Sequence, residues 1–379
     1  MNLTLHLTNR CNLKCTYCFV PHGFETMTRE VAFAAAKFAI ENTPKTGEIQ
    51  PPSGLLFYGG EPLLERTLIH DVVAHTQEIK ERTGHPFIYK ITTNGTLLDE
   101  EFLKFCETVN LMVGLSYDGI AQDDCRKFHN GKGSAEVMRD KIPLLLKYQP
   151  YAIGLTVLDA STAHRAYDIV KWMYEHGFRY ITVGMNYDRN APWTPKHLDV
   201  LASEYRKMGR LYAEWMKNEE KVYLSSFDMK ILSHLKGEKY NSDRRVTAQN
   251  QLSVAPNGKL YAASGHVGDV EMSIGDVFTG IDTEKHQYLM QKGSELLDVC
   301  KQCAIRMRCN YAYDSIRRVD GEVVMDIAPL QCAHEQLITP IADKVAEKLY
   351  EKRNALFLHK HYNELYPVMS LVEDGGYIT

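Results

Sequence analysis

The chain has 379 residues, of which 44% are hydrophobic and 24% charged, a composition typical of a globular protein. Its formal net charge of −4 argues against a dedicated nucleic-acid binder, which usually presents a basic face. No run of about 18 apolar residues is present, so we expect no membrane-spanning helix. The first cysteines leave no room for a secretory signal peptide before them. We therefore expect a cytoplasmic protein without nucleic-acid or membrane partners.

Strands and helices alternate over the first 218 residues. Short apolar runs predict six strands, at 3–7, 55–58, 89–92, 111–115, 152–158 and 180–185. Helices are predicted after them, at 29–41, at 66–82, from Asp99, at 135–148, at 163–176 and from Thr194. Six strand–helix units in series predict an α/β fold with a parallel sheet, either open or closed as a barrel. In parallel barrels the active site lies where the strands end.

The sequence pattern changes after residue 218. Residues 219–250 are polar and mixed, and we interpret them as a connector. Two short strands around a Pro-Asn-Gly turn are predicted within 252–261, and another at 273–277. Irregular cysteine-rich chain follows up to Cys332, then an amphipathic helix at 338–358 and a tail from Tyr366. The predicted division is therefore 1–218, 219–250, 251–337 and 338–379.

The cysteines are the most informative residues. Their odd number, nine, argues against a disulfide framework in a cytoplasmic protein. Seven of them form two groups, namely Cys11, Cys15 and Cys18, and then Cys300, Cys303, Cys309 and Cys332. The three thiolates of the first group can bind one compact centre of zinc, copper(I) or iron–sulfur. A [4Fe–4S] cluster held by three cysteines leaves one iron open, whereas structural zinc would need a fourth ligand such as His22.

The spacing C-x3-C-x2-C after the first strand, with Tyr17 before the last cysteine, resembles the signature of radical S-adenosylmethionine (SAM) enzymes. Later motifs strengthen the resemblance, which implies that they bind SAM. The residues concerned are Gly59, Gly60, Glu61, Asn94, Ser116, Asp118 and Arg126. The resemblance implies that the glycine backbone and Glu61 hold the methionine amino group.

The remaining SAM contacts are assigned by the same resemblance. Asn94 and the Ser116–Asp118 motif stand where this family places ribose and carboxylate contacts, and Arg126 resembles the arginine that pairs with the methionine carboxylate. Tyr17 or Phe19 is a candidate for apolar contact with the adenine, with packing beside the cluster as the alternative. The resemblance implies an enzyme that reductively cleaves SAM to a 5′-deoxyadenosyl radical, which abstracts hydrogen from an unactivated C–H bond.

The second cysteine group resembles part of a SPASM/twitch-type domain, which carries auxiliary clusters in radical enzymes that modify peptides and proteins. Four cysteines alone are compatible with zinc or iron–sulfur. The inner-cluster ligand positions are Ala263 and Tyr313, and 242–248 contains no cysteine. The resemblance therefore implies two [4Fe–4S] clusters, one that binds SAM and one auxiliary. Sulfatase-maturing relatives have a catalytic aspartate where this chain has Ser264, which argues against formylglycine formation.

The resemblance covers nearly the whole chain and implies a partial (β/α)6, TIM-like barrel with a C-terminal SPASM/twitch-like iron–sulfur domain. Two residues at the expected active-site end are candidates for catalysis. Cys125 is a candidate hydrogen-atom donor, with an ordinary loop cysteine as the alternative, and Tyr187 is a candidate for lining the substrate cavity or for packing.

The substrate class is also implied by the resemblance. Most relatives of this kind cross-link or epimerise ribosomal peptides, which implies a peptide substrate and a reducing partner such as ferredoxin or flavodoxin. The predicted barrel begins near residue 3, so we expect the substrate to be held by the barrel mouth, by the C-terminal domain or by a separate leader-recognition protein. A small-molecule radical oxidoreductase or dehydrogenase is the alternative, and a metal-containing binding protein without turnover is a third.

Overall fold

The computed structural model describes residues 1–44, 50–236, 251–311, 315–363 and 365–366. In chain order its strands are β1 (Asn2–Thr8), β2 (Leu13–Cys15), β3 (Ser53–Gly59), β4 (Phe87–Thr93), β5 (Leu111–Ser116), β6 (Arg126–Phe128), β7 (Ile153–Leu158), β8 (Tyr180–Met185), β9 (Tyr223–Leu224), β10 (Gln251–Val254), β11 (Lys259–Tyr261), β12 (Ser273–Asp276), β13 (Gly280–Ile281), β14 (Ile316–Val319) and β15 (Glu322–Met325).

Helices follow most of these strands. They are α1 (Arg29–Glu41), α2 (Arg66–Thr83), α3 (Glu100–Val109), α4 (Gln122–Cys125), α5 (Ala135–Tyr148), α6 (Ala166–Glu175), α7 (Pro195–Lys217), α8 (Ser225–Lys236), α9 (Thr283–Ser294), α10 (Asp298–Lys301), α11 (Pro329–Glu351) and α12 (Ala355–Tyr362). Side-chain caps start several of them where the sequence predicted. The Thr28 and Asp99 side chains accept hydrogen bonds from first-turn amides of α1 and α3.

The six predicted strands lie side by side in one sheet, in the order β1, β3, β4, β5, β7 and β8. Every pair among them is parallel, which requires the connections to cross over through helices. Leu3, Leu5 and Leu7 of β1 are buried in the core, as expected where alternate side chains of a strand face a layer of helices. The α/β architecture predicted from the sequence, a partial (β/α)6 barrel, is confirmed.

The C-terminal segment continues the same sheet. β10 pairs with β1 in parallel, and β11, β12 and β13 then add antiparallel strands at that edge. The turn predicted at Pro256-Asn257-Gly258 joins β10 to β11, and Gly258 has φ = +86°, which favours glycine. Away from the sheet, β14 and β15 form a separate antiparallel hairpin.

Two predicted boundaries differ from the structure. The segment 219–250 was interpreted as a connector, but β9 and α8 occupy 223–236, and β9 extends the sheet beside β8; residues 237–250 lie outside the described part. The terminal helix begins at Pro329 rather than 338, so Cys332 lies on a helix and not in irregular chain. Proline at a first helical position is a recognised start signal. No helix among the described residues is both long and apolar enough to span a membrane.

The pairing of β10 with β1 predicts that the barrel and the C-terminal segment depend on each other for stability. Leu252 is fully buried in register with Leu3, so Leu252→Ala should cost about 2–5 kcal/mol of unfolding free energy. We expect hydrogen exchange of β1 and β3 amides to accelerate together with that of β10. Val270→Ala, at a side chain that is 56% exposed, is the control and should change neither. Unchanged protection of β1 in the Leu252 variant would make the C-terminal segment an independent unit.

Candidate functional site

The first cysteine group lies on the segment after β1, which we call the cysteine loop (residues 9–19). Its β2 portion pairs antiparallel with β6, which places Cys15 opposite Arg126. The Leu13 amide lies 3.4 Å from the Cys11 sulfur, and the side-chain amide of Asn94 lies 3.8 Å from it. Donors directed at sulfur favour its charged form, although at Cys11 the effect of burial is larger and raises the pKa of the thiol.

Two glycines at the end of β3 allow the cysteine loop to approach the sheet. A Cβ on Gly60 would lie 2.1 Å from the carbonyl oxygen of Arg10, and one on Gly59 would lie 2.4 Å from that of Thr8. The Gly60 amide donates to the Thr8 carbonyl and the Glu61 amide to the Arg10 carbonyl, both at 2.8 Å. These glycines are therefore needed for contact between two segments of the protein, whatever further contact they make with a cofactor.

Glu61 joins the ends of β3 and β4. Its side chain is fully buried, and one carboxylate oxygen accepts hydrogen bonds from the Leu63 amide at 3.0 Å and the Thr93 hydroxyl at 2.6 Å. The other oxygen accepts from the Asn94 amide at 2.8 Å. Burial raises the pKa of Glu61 to about 7, although these hydrogen bonds oppose the rise. The carboxylate expected to hold a methionine amino group thus already connects two strand ends.

Asp118 is the centre of a second buried network. Its carboxylate accepts hydrogen bonds from Arg126 Nε at 2.9 Å, from the Thr156 hydroxyl at 3.0 Å and from the Val157 amide at 3.0 Å. The Tyr17 hydroxyl donates to the same carboxylate, and the Arg126 guanidinium lies over the Tyr17 ring, 5.3 Å from its centroid. Both charged groups are buried, so each neutralises the other. The cysteine loop is thereby fixed to β6 and β7.

The other predicted SAM contacts lie at the same edge of the sheet. Asn94 follows β4 and is buried, and its side-chain amide donates to the Asn12 side chain of the cysteine loop at 2.8 Å. Ser116 is the last residue of β5 and is half-buried. The structure thus brings Asn94, Ser116, Glu61 and Asp118 together around the cysteine loop. Most of their polar atoms also have protein partners, which the sequence did not indicate.

Cys125, the candidate hydrogen-atom donor, ends α4 and is 1% exposed. Its carbonyl accepts a hydrogen bond from the Thr16 amide of the cysteine loop at 3.0 Å. Burial raises the pKa of its thiol to about 11. Cys125 is therefore packed against the cysteine loop and does not line the open pocket at Tyr187 described below. Hydrogen-atom donation from it stays a prediction.

The second cysteine group surrounds one small cavity. Cys300, Cys303, Cys309 and Cys332 all line it, together with Glu335 and apolar residues such as Ile305 and Ile327. Three of the four cysteines come from the segment 300–309, and helix α11 provides the fourth. All four predicted ligands thus face a common space, as one shared metal centre requires.

Helix α11 also joins this cavity to the barrel through side chains that the sequence did not single out. Both nitrogens of the His334 ring form hydrogen bonds, Nδ1 with the Tyr187 hydroxyl at 2.8 Å and Nε2 with the Tyr205 hydroxyl at 2.7 Å. Burial lowers the pKa of His334 to about 3, so the ring is neutral and pairs with one phenol as donor and the other as acceptor. The next residue, Glu335, forms a buried ion pair with Lys230 of α8 at 2.6 Å.

His6 of β1 is a further buried polar group without a sequence signal. It is fully buried, and neither ring nitrogen has a hydrogen-bond partner, a status shared by few side chains in the described part of the chain. Its ring lies 5.2 Å from that of Tyr58 in an edge-to-face arrangement. An unpaired buried imidazole is costly, so a polar group of a bound molecule would stabilise it.

The chemistry of the two donor sets fits iron–sulfur clusters. Burial raises the pKa of Cys11 to about 12 and also raises those of Cys15 and Cys18, so these thiols are protonated until a metal displaces the proton. No three His, Cys, Asp or Glu side chains of the described residues converge closely enough to hold one metal ion. A [4Fe–4S] cluster takes one thiolate per iron, so its ligands stand further apart than those of a single ion.

The close approach at Gly60 leads to a stability prediction. Gly60→Ala should destabilise the protein by roughly 1–3 kcal/mol, because the new methyl group meets backbone that has to shift. Urea unfolding measures the change. Gly265→Ala is a matched control, since a Cβ there meets nothing within 4 Å, and it should stay within about 0.5 kcal/mol. Equal stability of the two variants would contradict the close contact.

The buried ion pair leads to a second prediction. Arg126→Gln leaves the Asp118 carboxylate buried without its cation, which should cost about 3–5 kcal/mol in urea unfolding. Adding Asp118→Asn should restore part of that loss, because the unpaired charge is then gone. The control is Arg165→Gln at the more exposed pair with Asp124, where a loss of at most about 1 kcal/mol is expected. A loss at Arg126 no larger than at Arg165 would contradict the role of the network.

Comparisons with known proteins agree with this geometry. The radical SAM superfamily model matches residues 5–173, from β1 to α6. The cysteine-type anaerobic sulfatase-maturating enzyme of Clostridium perfringens is 22% identical over 317 residues, which are 77% of this chain and 83% of the relative. The structure of anSMEcpe with bound AdoMet and a peptide superposes with a TM-score of 0.75 at 21% identity, covering 92% of this chain and all of that one.

A second solved protein has the same fold at lower similarity. Streptococcus suis SuiB bound to its precursor peptide SuiA has a TM-score of 0.57 at 13% identity, covering 82% of this chain and 71% of SuiB. At these identities the likeness establishes the fold alone. The parallel strands, the cysteine loop and the family match lead to one conclusion: residues 5–173 of this chain match the radical SAM superfamily, and a C-terminal extension follows them.

Proposed function

We propose that this chain is an enzyme that reductively cleaves SAM and uses the 5′-deoxyadenosyl radical to abstract hydrogen from a side chain or α carbon of a ribosomal peptide. The observation that carries the proposal is the radical SAM domain itself, with three cysteines on one loop fixed by Glu61 and Asp118. Radical chemistry requires that water be kept away, and buried polar networks at the sheet edge support such confinement.

We assign the cofactor-binding residues as follows. Cys11, Cys15 and Cys18 would hold the [4Fe–4S] cluster that binds SAM. Given one electron, bound SAM would supply the 5′-deoxyadenosyl radical and release methionine. Glu61 is assigned as the acceptor for the methionine amino group. This assignment is supported because the carboxylate oxygen that accepts a hydrogen bond from the Asn94 amide can accept a second one. The other proposed SAM contacts are Tyr17, Gly59, Gly60, Asn94, Ser116, Asp118 and Arg126.

A second, auxiliary [4Fe–4S] cluster is proposed in the four-cysteine cavity. Four protein thiolates leave no open iron, so we assign to this cluster electron relay or structural support rather than substrate ligation. Electrons for both clusters would come from a reducing protein such as ferredoxin or flavodoxin. The described ligand set of an inner cluster is incomplete, since Ala263 stands at one ligand position; Tyr313 and 242–248 lie outside the described residues.

A peptide substrate is favoured over a small molecule by the open pocket at Tyr187, which has room for part of a longer chain. Two proteins with the same fold, anSMEcpe and SuiB, were solved with peptides bound. Sulfatase maturation itself is disfavoured, because Ser264 occupies the position of the catalytic aspartate and hydrogen-bonds to Ser253 at 2.9 Å. A separate leader-recognition protein is a further expected partner.

The test is anaerobic reconstitution followed by iron and sulfide counting and by mass detection of 5′-deoxyadenosine, with and without dithionite and SAM. We expect about eight irons per chain and 5′-deoxyadenosine only when both reagents are present. About four irons plus zinc would overturn the auxiliary cluster. Full clusters without 5′-deoxyadenosine, even with candidate peptides added, would overturn the proposed enzyme.

Single cysteine variants should separate the two clusters. Cys11→Ala should abolish 5′-deoxyadenosine formation, because two thiolates do not hold the first cluster. Cys303→Ala should lose about half the iron and keep the first cluster, as measured by iron content and electron paramagnetic resonance. Cys106→Ala is the matched control: this thiol is fully buried on α3 within the core, and its loss should leave the iron content unchanged. Turnover by Cys11→Ala would contradict the assignment of the first cluster.

A further inference from the structure

A pocket of about 490 Å³ lies between the end of β8 and the β14–β15 hairpin. Its size falls within the range of roughly 300–1,000 Å³ that is usual for ligand sites. Tyr187 and Tyr311 form an aromatic wall, with ring centroids 5.3 Å apart in an edge-to-face arrangement. Tyr187 follows β8 at the carboxyl edge of the sheet, the same edge that carries the cysteine loop. The pocket therefore opens at the side of the radical SAM domain where chemistry is expected.

The pocket carries more positive than negative side chains. Arg189 and Arg317 both point at one carboxylate, that of Asp326, which Arg189 contacts at 2.6 Å and which also accepts from Nε of Arg317. One carboxylate thus faces two guanidinium groups, and the three side chains carry a formal charge of +1. Each arginine has five N–H donors in a planar arrangement, and both contact the same oxygen of Asp326. Most of their N–H donors can therefore bind another anion.

The pocket charge lies on one face of the β14–β15 hairpin only. Arg317 and Arg318 are neighbours on β14, and successive side chains of a strand point to opposite faces. Arg317 lines the pocket, whereas Arg318 pairs with Asp269 at 2.9 Å on the other side. The two arginines have nearly equal side-chain exposure, 42% and 38%. Arg318 is therefore a matched reference for any effect of the pocket charge.

We propose that this pocket binds a carboxylate of the substrate, so that the substrate is an acidic peptide segment rather than a neutral one. The inference rests on the proposed function and names its substrate class. The carboxylate is either an Asp or Glu side chain or the C-terminus of the peptide. Arg317 and Arg189 bind it bidentately, the aromatic wall contacts the adjoining chain, and Asp326 orients the guanidinium groups while competing for them.

The test measures binding of four tetramethylrhodamine-labelled peptides of glycine and serine to the reconstituted protein without reductant. The peptides carry one central glutamate or glutamine, each with a free or an amidated C-terminus. We expect at least one singly acidic peptide to bind about tenfold more tightly than the peptide with glutamine and an amide. Preference for central glutamate assigns the site to an acidic side chain, and preference for the free C-terminus assigns it to the terminal carboxylate.

Variants of the pocket must change this preference in opposite directions. Arg317→Gln and Arg189→Gln should each reduce the preference for the acidic peptide about tenfold. Asp326→Asn should instead increase the affinity for the acidic peptide, because the competing carboxylate is gone. A gain of affinity does not arise from misfolding. Arg318→Gln should bind like the parent protein. Equal binding of all four peptides to the parent, or an equal loss in the Arg317 and Arg318 variants, would overturn the proposal.

The binding measurement is independent of turnover. Carboxylate preference in a protein that never forms 5′-deoxyadenosine would leave the carboxylate site at Arg189 and Arg317 standing, but it would overturn the proposed function and with it the assignment of a peptide substrate. Formation of 5′-deoxyadenosine without carboxylate preference would overturn only the inference.

Discussion

The buried carboxylate of Asp118 is the interaction on which the candidate site depends. It accepts hydrogen bonds from the Arg126 guanidinium, from the Tyr17 hydroxyl and from the edge of β7 at Thr156 and Val157. Three segments that are distant in sequence therefore meet at one charge. Because that charge is almost fully desolvated, loss of the charged donor Arg126 leaves an uncompensated ion, and the loop that carries the three cysteines is held in one position.

Glu61 plays the same part on the other side of the cysteine loop. Its backbone amide binds the loop at Arg10, and its side chain binds the end of β4 at Thr93 and Asn94. The closeness of the backbones requires glycine at position 60, where any Cβ would collide with a carbonyl oxygen. Residues that a family motif assigns to the cofactor thus also fix the cysteine loop to the sheet. If they bind the cofactor as proposed, substitution of such a residue will change stability and cofactor binding together, and only paired measurements separate the two effects.

Local signals in the sequence predicted the local structure. Apolar runs, caps and glycines predicted the six parallel strands and the hairpin at β10–β11, and cysteine spacing predicted two groups of cysteines, of which the second lines one cavity. Long-range pairing has no such signal, so the parallel contact of β10 with β1 and the bonds of His334 to Tyr187 were not predicted. The start of α11 was missed although Pro329 marks it, because the expected cysteine-rich coil extended past that proline. A motif states which residues are needed but not which partner each one binds.

Helix α11 determines how the four-cysteine cavity stands relative to the barrel. Within one turn it presents Cys332 to the cavity, His334 to the barrel tyrosines and Glu335 to Lys230. The ion pair is buried and the imidazole has both nitrogens bonded, so rotation or sliding of the helix would break a charged contact and two hydrogen bonds at once. The proposed relay of electrons between two clusters would require a fixed separation, and bonds of this kind on a single turn would provide it. The Tyr187 hydroxyl that secures His334 also belongs to a wall of the pocket between Arg189 and Arg317, so the group that fixes the cavity is in direct contact with the site proposed for the substrate.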